Sequence, residues 1–572
     1  MVPLLICAGG SPPGRRGYSA GHKWRLGRAP TTRRPAPARR PASRPGAPVD
    51  FRPGALQNAL HTGRIWRKAG AHGRDEGKGL AMGPEPVKLS RCSTGIAGLD
   101  AVLGGGLPRG HLHLLQGAPG TGKTTAALHF LLEGARRGER TLYLTLSQTR
   151  DELQRIAASH GWPLDGVQIE EVSAADLVAG EVEQSVLYTA DVELAETTGA
   201  IRRAIARAEP ERLVYDSLLE VRYLTGNMLR YRRELVALKR LVNAGGCTAL
   251  FIDSEAEFGG DKQLEGLAHG VITLERALPE YGVARRRVQV KKMRGAPVAD
   301  GYHDFAIRTG GMEVFPRIVP DQAPESAGRD LLASGIPELD EMLGGGLEEG
   351  TTALITGHTG TGKSTLAAAY AHAACGRGER AAVFLFEERR ETFHRRCEGM
   401  GMDLRPHEAA GRLHVMHFNP AEISPGEFSQ RVKRMVDEEG AKVLVIDSLT
   451  GYLGAIPQDQ PLFKQLHALL NYLTRRGALT LLIVAQHGLV GHAVQLSFDV
   501  STIADSVFLL RQYEATSAIR RTLSVVKKRY GPHAPDIREL AIGPEGVSVK
   551  AFDLSVASGQ ARGALLGHED EG

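Results

Sequence analysis

Gly357-His-Thr-Gly-Thr-Gly-Lys363-Ser364-Thr365 fits the phosphate-loop pattern G-x-x-x-x-G-K-[ST] in full. Before it comes Thr351-Thr-Ala-Leu-Ile-Thr356, a short apolar run that reads as a buried strand. After it comes Leu366-Ala-Ala-Ala-Tyr-Ala-His-Ala-Ala374, which reads as a helix. Strand, glycine loop and helix are the setting this pattern needs. The glycines let the backbone turn tightly, so that several N–H groups point at one phosphate chain. The positive end of the helix adds to that field. Gly357, Gly360, Thr361, Gly362, Lys363, Ser364 and Thr365 are thus a candidate ATP-binding set. Lys363 reaches the β- and γ-phosphates and the Ser364 hydroxyl sits on Mg²⁺.

The loop occurs twice. Gly117-Ala-Pro-Gly-Thr-Gly-Lys123-Thr124-Thr125 repeats it, with Lys123 lying 240 positions before Lys363. Gly117, Gly120, Thr121, Gly122, Lys123, Thr124 and Thr125 form a second candidate set, with Thr124 in the Mg²⁺ position. The flanks repeat as well. Ser93-Thr-Gly-Ile-Ala-Gly-Leu-Asp-Ala-Val-Leu-Gly-Gly-Gly106 aligns with Ala333-Ser-Gly-Ile-Pro-Glu-Leu-Asp-Glu-Met-Leu-Gly-Gly-Gly346 at the same offset. A chance glycine-rich turn explains one loop, but not two loops with matching flanks.

A chain of 572 residues is too long for one core, and the repeat divides it into two domains behind an N-terminal tail. The charge is uneven. Residues 1–81 hold 13 Arg and 3 Lys against 2 Asp and 1 Glu, a net +13. The whole chain is +6, so residues 82–572 carry −7, the difference between the two. An acidic body gives no sign of a groove for a nucleic-acid backbone. Cys7, Cys92, Cys247, Cys375 and Cys397 are scattered and form no C-x-x-C. That excludes a zinc ribbon, offers no disulfide framework and fits a reducing cytoplasm. No apolar run reaches the ~18 residues of a membrane span.

Residues 1–85 are rich in Arg, Pro, Gly and Ala, without helical or strand period, and read as disordered. They are a basic tail, a targeting segment, or sequence upstream of a true start at Met82. The first domain spans 86–322, the second 323–555, and 556–572 reads as a loose tail. In the first domain Arg140–Leu146, Arg212–Asp216 and Thr248–Asp253 read as strands. In the second, Ala381–Phe386, Lys442–Ile446 and Leu479–Ala485 do, with Glu387, Asp447 and Gln486 at their ends. Short apolar strands alternating with helices predict an α/β fold: a mostly parallel sheet covered by helices on both faces. Ligands bind at the carboxyl ends of such strands.

Asp447, ending an apolar strand before Ser448, is the second nucleotide signal; an acid there holds Mg²⁺ directly or through water. Asp216 is its counterpart in the first domain. Glu387-Glu388 is placed on the strand next to the loop strand, where an acid accepts a proton from, or orients, the water attacking the γ-phosphate. The bland alternative is a helix N-terminal charge. The first domain has Ser147-Gln148 there, and neither residue can act as a base, so its site is expected to bind nucleotide and hydrolyse it slowly or not at all. Each domain ends with a Lys-x-Arg on a strand, Lys292 with Arg294 and Lys527 with Arg529. These cations serve a neighbouring subunit's γ-phosphate in a head-to-tail ring, or they form a solvated basic edge.

Two repeats, each with Thr/Ser-Gly-Ile-x-x-Leu-Asp…Gly-Gly-Gly, a phosphate loop, Asp-Ser and Lys-x-Arg, resemble the KaiC family of duplicated RecA-type ATPases. The resemblance covers about 86–555. It implies two tandem RecA-like P-loop NTPase domains, a two-tier hexamer with ATP and Mg²⁺ at the subunit interfaces, unidentified signalling partners, and autophosphorylation by the second domain. Ser501-Thr502, before the strand-like Ala504–Leu510, matches the family's phosphorylated pair, whereas the first domain has Glu265-Gly266 there. One departure stands out: in that family the first half carries the two acids, and here only the second does. Two other classes compete with a KaiC-like ATPase and autokinase. One is a nucleotide-gated scaffold with little turnover. The other is a DNA-acting RecA or RadA relative, against which the acidic body and the missing zinc ribbon argue.

Overall fold

A computed structural model describes residues 90–172, 189–254, 262–278, 282–320, 330–454, 459–485, 502–515 and 518–553. The expected tails, 1–85 and 556–572, lie outside the described residues, as do Gln486 and Ser501.

Among the described residues each domain is built on a nine-stranded sheet. In the first, the order from one edge to the other is Val167–Glu171, Thr141–Thr145, Arg212–Asp216, Thr248–Asp253, Leu112–Gly117, Gly270–Ala277, Arg285–Met293, Tyr302–Arg308 and Gly311–Phe315. The first six run parallel and the last three extend the sheet antiparallel. The second sheet repeats this order: Leu413–His417, Arg380–Leu385, Ala441–Asp447, Leu479–Ala485, Thr352–Gly357, Ser506–Ala515, Ala518–Lys528, Arg538–Gly543 and Gly546–Ala551. The fold is therefore two tandem, mostly parallel α/β domains.

Side-chain alternation explains why these strands are apolar throughout. Leu115, Tyr143, Val214 and Ile252 face one layer of the first domain's core. Leu114, Leu142, Leu213, Tyr215 and Phe251 face the other. A parallel strand buried on both faces has no polar side to offer. The loop helices, Lys123–Arg136 and Lys363–Gly376, cover the first kind of face in their domains.

The repeated flank motif is structural. Asp100 accepts from the Ser93 hydroxyl (2.6 Å), the Thr94 hydroxyl (2.7 Å) and the Thr94 N–H (2.8 Å). Asp340 takes the Ser334 N–H in the same way (2.7 Å). The glycines that follow turn the chain back: Gly106 and Gly346 have φ of 115° and 137°, and a Cβ on either would fall 2.4–2.5 Å from a carbonyl oxygen. The two domains are tied by an Arg308–Glu427 ion pair (2.6 Å) and by the Gly426 N–H on Asp304 (2.7 Å).

One expectation is corrected. The strand leading to Glu387-Glu388, Arg380–Leu385, is not next to the loop strand; Ala441–Asp447 and Leu479–Ala485 lie between them. The pair reaches the site because it sits beyond the strand end. There Phe386 N–H donates to the Asp447 carbonyl, carrying the chain across the neighbouring strand's tip.

Candidate functional site

Both loops present the same cradle. Gly120 and Gly122 have φ of 75° and 101°, Gly360 and Gly362 of 82° and 97°, a region that L side chains avoid. A Cβ on Gly122 or Gly362 would also strike Ile307 or Ile542, at 2.5 and 2.3 Å. Neither loop helix has a side-chain cap, so its first N–H groups remain for an anion. Lys123 Nζ donates to the carbonyls of Gly117 (2.7 Å) and Ala118 (3.1 Å), and Lys363 Nζ to those of Gly357 and His358 (both 2.8 Å). Thr121 and Thr361 hydroxyls brace the loops on Ala118 and His358 (both 2.8 Å). A donor-rich, acceptor-poor cradle of this shape fits a polyphosphate.

In the second domain the acids gather opposite Lys363. Burial lowers the ammonium's pKa, opposed by Asp447 and Glu387. Burial pushes the Asp447 carboxyl up, and Ser364 and Arg396 pull the other way. A strand-end carboxylate acted on by the loop hydroxyl is the donor set for a hydrated divalent cation. Glu387 accepts from Ser448 Oγ at 2.7 Å. Gly451 stands over it, where a Cβ would fall 2.9 Å from the Glu387 carboxylate. Glu388 is engaged differently, in a two-point ion pair with Arg396 (2.7 and 3.1 Å). Arg396 in turn reaches Thr365 Oγ1 (3.3 Å).

The first domain keeps the loop and changes what faces it. Ser147-Gln148 stands where the acids would be, with the Gln148 backbone folded onto Thr145 Oγ1. Ile156 takes the place of Arg396. Asp216 is not bonded to Thr124 directly. It accepts from the buried Tyr143 phenol at 2.5 Å. Burial raises the Asp216 carboxyl while Tyr143 and Lys123 oppose. Lys123, lowered by burial, is balanced by Asp216 and Asp253 instead of by a glutamate.

The Lys-x-Arg pairs lie away from their own loops, on the antiparallel extensions. Lys292 Nζ donates to the carbonyls of Glu265 (2.6 Å) and Ala268 (2.9 Å), and Arg294 to Gly266 (2.8 Å). Lys527 Nζ donates to the Ala504 carbonyl (2.7 Å), and Arg529 pairs with Asp505 (2.8 Å). His269 occupies the first-domain position of Asp505. Thr502 is exposed just before the strand Ser506–Ala515.

Sequence reasoning missed Arg396, Tyr143 and Arg521, whose Nε donates to the Gly360 carbonyl at 3.0 Å, and it named Ser448 beside Asp447 without its bond to Glu387. None of the three missed residues carried a local signal. Among the described residues no helix is long and apolar enough to cross a membrane.

The family model "ATPase: KaiC" matches the chain twice, at residues 92–318 and 332–553. The chain is similar to the circadian clock oscillator protein KaiC of Parasynechococcus marenigrum, 29% identical over 480 residues, covering 82% of this chain and 92% of that protein. It is 28% identical over 468 residues to KaiC of Parathermosynechococcus lividus, covering 81% and 86% of the two chains. It is 29% identical over 487 residues to the circadian clock protein KaiC2 of Synechocystis, covering 83% and 84%.

Proposed function

The chain belongs to the KaiC family of ATPases, and on that premise we propose that it hydrolyses ATP mainly in its second domain while the first holds nucleotide with little turnover. The observation that carries this is the placement of Glu387, hydrogen-bonded to Ser448 beside Asp447 and felt by Lys363, against Ser147-Gln148 in the first domain. Lys363, Ser364, Thr365 and the Gly357–Gly362 backbone bind the phosphates. Mg²⁺ held by Ser364 and Asp447 would neutralise charge developing on the phosphate oxygens. Glu387 orients the attacking water and accepts its proton; the Ser448 hydroxyl fixes the carboxylate's rotamer. Glu388 keeps Arg396 in place instead of acting as a second base. In the first domain Thr124, Asp216 and Lys123 take the matching binding roles.

Lys292, Arg294, Lys527 and Arg529 serve the γ-phosphate bound to an adjoining subunit. That requires a head-to-tail homo-oligomer, in this reading a hexameric ring. Arg529 must then exchange Asp505 for phosphate. Thr502, with Ser501 outside the described residues, is the acceptor for autophosphorylation, and the output is clock-like or other signalling through protein partners in the cytoplasm. The test is incubation of the full chain with γ-³²P-ATP and Mg²⁺. Phosphate release that falls in Glu387→Gln, and protein label that disappears in Ser501→Ala/Thr502→Ala, is the expected result. Release without label leaves an ATPase alone. Neither signal leaves a nucleotide-gated scaffold.

A further inference from the structure

The two candidate magnesium sites also differ at a buried position beside the strand-end carboxylate. Tyr143 lies on the strand beside Arg212–Asp216, two residues before the level of Asp216, and is fully buried. Its phenol donates to Asp216 Oδ2 at 2.5 Å, and the Thr124 hydroxyl is among the groups that act on it. The counterparts in the second domain are Ser364 and Asp447, and there Ser364 is itself among the groups that act on the Asp447 carboxyl. The register fixes the comparison: Tyr143 pairs with Val214 and Val383 with Val445, so Val383 stands where Tyr143 does. A valine has no group to place between the loop hydroxyl and the carboxylate.

We propose that Tyr143 is a positioning residue whose hydroxyl takes up the Asp216 oxygen that a magnesium-bound water would otherwise use, and so makes nucleotide binding in the first site nearly independent of Mg²⁺. The inference rests on the reading of the first loop as a nucleotide site. Its physics is competition for acceptors. A cation's water shell in such a site is ordered by hydrogen bonds to the strand-end carboxylate. In the first domain one oxygen of that carboxylate is already committed to a buried donor. Exchanging a buried, charge-assisted bond for a new one gains little, and breaking it leaves the phenol without its acceptor. In the second domain Val383 offers Asp447 no donor, so cation binding there meets no such exchange. The consequence is a division between a first site that holds nucleotide with or without the cation and a second site that releases it when the cation is withdrawn.

The test is equilibrium binding of a fluorescent ATP analogue to the full chain, with Mg²⁺ and with EDTA. Lys363→Ala isolates the first site and Lys123→Ala the second. The expected ratio of the two affinities is below about threefold in the first site and about tenfold or more in the second, the worth of one charge-assisted hydrogen bond. Tyr143→Phe in the Lys363→Ala chain removes only the hydroxyl and should raise the first-site ratio about fivefold or more, with the melting temperature recorded alongside. Val383→Tyr in the Lys123→Ala chain is the reverse transplant and should lower the second-site ratio. Equal ratios in the two sites, or ratios that neither substitution moves, overturn the inference and leave the nucleotide reading standing. No binding by the Lys363→Ala chain in either condition overturns both.

Discussion

Lys123 and Lys363 make matching hydrogen bonds in two loops of one chain, and what faces them is different. Opposite Lys363 stand Asp447 and Glu387, with Ser448 and the Glu388–Arg396 pair around them. Opposite Lys123 stand Asp216 under the Tyr143 phenol, and Asp253, with serine and glutamine at the water-facing position. On the proposed reading the difference separates binding from turnover: the loop and its helix supply the phosphate cradle, and hydrolysis would depend on groups brought from other strands.

The contrast extends below the sites and can be broken by substitution. In the first domain Arg212 is fully buried against Glu139, the Ser93 carbonyl (2.7 Å) and the Phe130 carbonyl (2.8 Å). Val443 holds that position in the second domain, where Glu379 pairs with the partly exposed Arg377 instead. Glu139→Ala strands a buried guanidinium and should cost the first domain about 3–5 kcal/mol, against at most about 1 kcal/mol for Glu379→Ala in the second. Urea unfolding followed domain by domain measures both; equal losses would erase this part of the comparison.

Glu387→Gln should lower the turnover number by about 10²-fold or more with nucleotide affinity kept, whereas Ser147→Ala should change it less than about twofold. Steady-state phosphate release is the readout, and a large effect of Ser147→Ala would mean that the first site turns over after all.

Acid should weaken the first domain more than the second. Burial pushes His113 from its ordinary 6.5 down to about 3. Below pH 6.5 the unfolded chain binds a proton that the folded chain refuses. Stability is therefore intact above 6.5 and falls as pH drops toward 3, by up to about 1.4 kcal/mol per pH unit. Ala353 occupies this position in the second domain. Calorimetry between pH 7 and 5 should show a pH slope in the first-domain transition that His113→Phe reduces; an unchanged slope assigns it to other groups.

The smallest expected effect sharpens the role of the acid pair. Arg396→Ala frees Glu388 and should lower turnover about fivefold, because Glu387 keeps its own bond to Ser448. A loss as deep as that of Glu387→Gln would make Glu388 a direct participant.

The loops, the Asp-Ser strand ends and the flank motif were legible because each is a run of neighbouring residues whose local geometry is self-contained. The sheet order was not. Which strands pair is settled by contacts far apart in sequence, and the expected adjacency of the Glu387-Glu388 strand to the loop strand failed for that reason. The same distance hid the partners inside the sites. Glu387 and Ser448 are 61 residues apart, and Tyr143 and Asp216 are 73. Tyr143 read as one more apolar strand residue, since periodicity records which face a side chain takes and not where its hydroxyl ends.

The central claim is the division of labour between the loops. Its most direct test is to count nucleotides per chain and measure phosphate release for full-length Lys123→Ala and Lys363→Ala side by side. The account predicts that Lys123→Ala retains most of the turnover, and that Lys363→Ala loses nearly all of it while still holding about one nucleotide per chain. Turnover that survives Lys363→Ala and vanishes with Lys123→Ala would contradict it.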